Sequence, residues 1–84
     1  MKNKKSNGLQ NSFPEVFGVK IELHSNREAI IEGVVNVTDY FENRIKFNTL
    51  KSSVTFNGNL LEIVSFLDSG AIIKGEITSV EFGG

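Results

Sequence analysis

The chain of 84 residues contains no cysteine, no tryptophan, one proline and one histidine. Without cysteine there is no disulfide, no thiolate zinc site, no iron–sulfur cluster and no thiol nucleophile. A lone histidine, His24, excludes a multi-histidine metal site within one chain. No apolar run approaches the ~20 residues of a membrane-spanning helix. No apolar segment follows the first lysines, so a secretory leader is not expected. The net charge of −1 supplies no basic surface for a general nucleic-acid binder. What remains is a chain of ordinary globular composition, long enough for one domain and too short for two.

The charge is unevenly distributed. Residues 1–12 carry Lys2, Lys4 and Lys5 and no acid. Nine basic residues less these three leave six, against ten acids, from Phe13 onward. The first segment has few apolar groups to offset its ordering entropy. It is expected to be a disordered basic tail, with residues 13–84 forming a single β domain. Three lysines would give an anionic membrane only about 1 kcal/mol each.

The body alternates with a period of two, the mark of half-buried strands. Phe17, Val19, Ile21 and Leu23 alternate with Gly18, Lys20, Glu22 and His24. Ala29, Ile31, Val35 and Val37 share one parity of the next run, with Ile30 and Val34 on the other. Ile45, Phe47 and Thr49 alternate with polar residues, and Leu50-Lys51 reads as a turn. Asn57-Gly58-Asn59 is the strongest turn signal, because both residue types accept positive φ. Asp68-Ser69-Gly70 reads as another turn. Residues 60–67 fit a helix nearly as well as a strand, but their length and flanking turns favour a strand. The reading is an all-β antiparallel meander, sandwich or small barrel of about seven or eight short strands.

Three segments resemble one another: Ala29-Ile30-Ile31-Glu32-Gly33, Val54-Thr55-Phe56-Asn57-Gly58 and Ala71-Ile72-Ile73-Lys74-Gly75. Gly33, Gly58 and Gly75 are therefore expected to be structural, at turns, bulges or bends. Their spacing is too irregular for a solenoid. No phosphate-binding glycine pattern is present.

The search for chemistry yields no active site. His24 lies on a polar parity beside Ser25, and only a chance convergence with Asp39 would build a hydrolase triad. The acids lack the spacing of a calcium loop. Phe41, Phe47, Phe56, Phe66 and Phe82 suit a core better than a base-stacking platform, which also needs a positive groove. No residue is assigned a catalytic, cofactor-binding or metal-binding role, and no cofactor is expected. Two-sided apolar strands need cover on both faces, which favours a homo-oligomer joined through a sheet edge or face.

Residues 27–82 resemble the YabP/YqfC family of small sporulation proteins. The likeness rests on the runs IIEGVVNVTDYFENRIKFNT (30–49), VTFNGNLLEIVSF (54–66) and IIKGEITSVEF (72–82). The Phe13-Pro14-Glu15 lead-in is similar to that of many members. Lys51-Ser52-Ser53 departs from the Gly-containing turn often found there. The resemblance implies a non-enzymatic protein made in the mother-cell cytoplasm and acting at the forespore membrane surface. There it would assemble the spore envelope with protein partners, a membrane protein among them. The competing reading is an OB-like small barrel that binds nucleic acid or polysaccharide.

Overall fold

The computed structural model describes residues 15, 16 and 18–83. The disordered tail expected over 1–12, and Phe13, Pro14 and Phe17 of the lead-in, lie outside the described residues. Among the described residues the chain is all-β and has no helix. The strands are β1 (Glu15–Val16), β2 (Val19–His24), β3 (Glu28–Glu32), β4 (Val34–Phe41), β5 (Arg44–Thr49), β6 (Ser53–Leu67) and β7 (Gly70–Phe82). They form one antiparallel sheet in the order β1-β2-β3-β7-β6-β5-β4.

Two expectations change. The apolar run through Gly33 is two strands, and the buried parity switches at the junction. Ala29 and Ile31 are buried before Gly33, then Val34 is buried and Val35 is exposed. Gly33, at φ 99°, makes the switch, and it and Val34 both donate to the Ser69 carbonyl. The second change concerns Asn57-Gly58-Asn59, which is no turn. Residues 53–67 form one strand of 15 residues, hairpin-paired with a β7 of 13. Two of the strands are therefore long, because this segment bends where a turn was expected.

The bend comes from two glycines that face each other's strands. A Cβ on Gly58 would collide with the Glu76 carbonyl, and one on Gly75 would lie 2.6 Å from the Leu60 carbonyl. Only residues without a Cβ let the two backbones cross this closely. A register shift between Asn59 and Glu62 marks the same place, and Leu60 there has φ 54°. Each long strand changes neighbour at the bend. β6 pairs with β5 up to Asn57, after which Gly58 and Leu61 donate to the Asn43 and Glu42 carbonyls. β7 pairs with β3 up to Lys74, after which Gly75 and Ile77 donate to Arg27 and Asn26.

The bend folds the sheet over one core. Phe47, Phe56, Ile31, Ile45 and Ile73 are fully buried, with Val19, Val54, Leu61 and Ile77 around them. Phe47 and Phe56 meet edge to face at 6.0 Å between ring centroids, a favourable quadrupole arrangement. The outer face carries charge in cross-strand order: Lys20 opposite Glu32, and Lys74 between Glu28 and Glu62. Ile30 and Ile72 pair on that face and are half-buried there.

Candidate interaction surface

The positions where chemistry was sought lie apart. His24 Nε2 meets Glu22 Oε2 at 2.9 Å on β2, while Asp39 on β4 accepts from Arg44 at 2.7 Å. Both pairs are substantially exposed. Ser25, at φ 56°, belongs to the β2–β3 turn. Among the described residues, no group of three His, Asp or Glu side chains is placed to hold a metal ion. Phe41 and Phe82 leave the expected aromatic core for the surface. Phe66 lies between the two, tilted on Phe47 at 6.2 Å yet 39% exposed.

The distinctive feature is the corner where β4 faces the second half of β6. Three contacts fit one antiparallel register between them. Leu61 N–H donates to the Glu42 carbonyl at 2.7 Å. Ile63 N–H donates to Tyr40 Oη at 2.9 Å. Gly33 and Val34 N–H donate to the Ser69 carbonyl at 2.9 and 3.0 Å. The two ends are tied backbone to backbone, whereas the middle is joined only by the Tyr40 hydroxyl. Over most of this span the Cα atoms of β4 and β6 stay more than 8 Å apart, well beyond the 4.7–4.9 Å of a paired ladder. The sheet is therefore open along this seam.

The exposed apolar surface collects there. Among the described residues ten large apolar side chains are exposed, and seven belong to the seam strands. Val35, Tyr40 and Phe41 come from β4, and Leu60, Val64, Phe66 and Leu67 come from β6. Leu60 is 74% exposed and Leu67 72%. Scattered surface leucines need no explanation, but exposed apolar side chains concentrated on two facing strands favour a binding surface. At one end Tyr40, Phe41, Glu42, Leu60, Leu61 and Glu62 line a shallow pocket of 480 Å³. Neither Glu42 nor Glu62 joins an ion pair among the described residues.

Leu60, Val64 and Phe66 stand on a second apolar parity of the sequence that needs cover. That β4 lies opposite them depends on the bend, which no local pattern contains. The available signal was the excess of apolar positions over 60–67. No model of a known protein family matches the chain, and no curated protein or solved structure matches it.

Proposed function

We propose that the chain is a non-enzymatic sporulation protein of the YabP/YqfC type, an interaction module in assembly of the spore envelope. In this reading it works in the mother-cell cytoplasm at the forespore membrane surface, through protein partners that include a membrane protein. The observation that carries the interaction part is the seam, where seven of the ten large apolar side chains exposed among the described residues belong to two facing strands. The sporulation part rests on the residue pattern of 27–82 alone. A second copy of the chain is the competing occupant of the seam. The OB-like alternative is disfavoured by Glu42 and Glu62 at the seam's pocket, which would repel a phosphate backbone.

The test is deletion of the gene in its own spore-forming host, with complementation by the wild type and by Val64→Lys. The expected outcome is normal vegetative growth and loss of heat-resistant spores, rescued by the wild type only. Unimpaired spores on deletion would remove the sporulation reading. Full rescue by Val64→Lys would remove the seam from it.

A further inference from the structure

We infer that the seam accepts an extended peptide strand from a protein partner, which adds to the sheet between β4 and residues 62–67 of β6; the inference rests on the interaction reading above. Four observations identify the occupant's chemistry. Both strands bordering the seam pair on one side only among the described residues, β4 with β5 and residues 62–67 with β7. Their outward backbone groups therefore want the donors and acceptors of another backbone. Over most of the seam the separation exceeds 8 Å, and one inserted strand needs about 9.5 Å, two ladder spacings. Tyr40 Oη accepts from Ile63 N–H where the carbonyl of a neighbouring strand would stand. Seven exposed large apolar side chains belong to the two bordering strands, and at the pocket end Glu42 and Glu62 join no ion pair among the described residues, although Lys74 lies across the ladder from Glu62.

These features specify a segment of about seven residues, matching residues 35–41 between the two tied ends, roughly 23 Å at about 3.3 Å per residue. Its side chains alternate apolar and polar, and a lysine or arginine lies at the end that meets Glu42 and Glu62. β4 and β6 run antiparallel to each other here, so the added strand is antiparallel to one and parallel to the other. Strand addition of this kind draws affinity from main-chain hydrogen bonds and specificity from alternate side chains. On binding, the strand's carbonyl replaces Tyr40 Oη at Ile63.

The probe is a capped heptapeptide alternating valine and threonine with one terminal lysine, made with the lysine at either end. Tyr40 is the sole tyrosine and the chain lacks tryptophan, so tyrosine emission reports the seam directly. One of the two peptides is expected to change that emission saturably. It should shift amide resonances of residues 35–41 and 62–67, leaving β2 and β3 unmoved. Methylating alternate peptide nitrogens should weaken binding at least tenfold. The double variant Glu42→Gln/Glu62→Gln should weaken it several-fold, and Tyr40→Phe, followed by resonance shifts, should strengthen it. No response to either peptide at millimolar concentration, or shifts outside the seam, overturns the inference. Self-association of the protein alone that shifts the same amides overturns a foreign strand in favour of a second copy. If neither peptide binds yet Val64→Lys still fails to restore spores, strand addition falls while the interaction reading stands.

Discussion

Leu60 holds a left-handed backbone with most of its side chain in solvent. A non-glycine residue there costs about 1–2 kcal/mol, and little burial offsets it. Leu60→Gly is therefore expected to raise stability by about 0.5–1 kcal/mol in denaturant unfolding, against the usual direction for a truncated leucine. A loss of 2 kcal/mol or more would mean that Leu60 packs in a way this structure does not show. The glycines give a graded prediction. Gly58→Ala places a Cβ on the Glu76 carbonyl, and Gly75→Ala places one near the Leu60 carbonyl at φ 138°. Each should cost about 2–3 kcal/mol, since the obstacle is backbone and cannot rotate away. Gly18, at φ 80°, has nothing within 4 Å of its added Cβ, so Gly18→Ala should cost only about 1 kcal/mol. Equal melting temperatures for the three variants would contradict this order. Recurrence of an apolar pattern before Gly33, Gly58 and Gly75 was visible in the sequence. The reason each is glycine was not, because it depends on which carbonyl lies opposite.

At the scale of elements, the alternation identified β2, β5 and the hairpin turn at Asp68-Ser69 directly, since each is a local pattern. It failed at Asn57-Gly58-Asn59. There the turn propensity of the residues is real, but the same tolerance of tight backbone serves a bend within a 15-residue strand. Long-range pairing with β7 decides between the two outcomes, and no local rule contains it. It failed also at Gly33, where one apparent strand is two with opposite buried parity. The seam follows from these two features. The parity switch sets which side of β4 is buried, and the bend swings residues 62–67 opposite β4. The Tyr40 hydroxyl is its one central tie, so Tyr40→Phe should cost about 0.5–1.5 kcal/mol. It should also raise the exchange rate of the Ile63 amide well above those of its β6 neighbours that pair with β7. An unchanged Ile63 rate would show that the amide is protected by something other than Tyr40.

For the molecule as a whole, one small core supports both arms of the bent sheet. A domain of this size has roughly 4–10 kcal/mol of total stability. Phe47→Ala removes a fully buried ring in contact with both Phe56 and Phe66, at a cost of about 3–5 kcal/mol. That variant should be largely unfolded at 37 °C by circular dichroism, whereas Phe82→Ala, exposed at the end of β7, should keep its β spectrum. The core also explains why the seam can stay open. The core is already filled by side chains from β2 to β7 with the seam open, so closing the β4–β6 gap is not needed for folding. Native-state hydrogen exchange over the whole chain tests this most directly. The account predicts strong protection in the β3–β7 and β5–β6 ladders, and rapid exchange at the amides of residues 35–41 and 62–67 that point into the seam, Ile63 excepted because Tyr40 Oη holds its N–H. Protection of those amides equal to that of the β3–β7 ladder would mean that the sheet closes on itself and leaves no place for a partner strand.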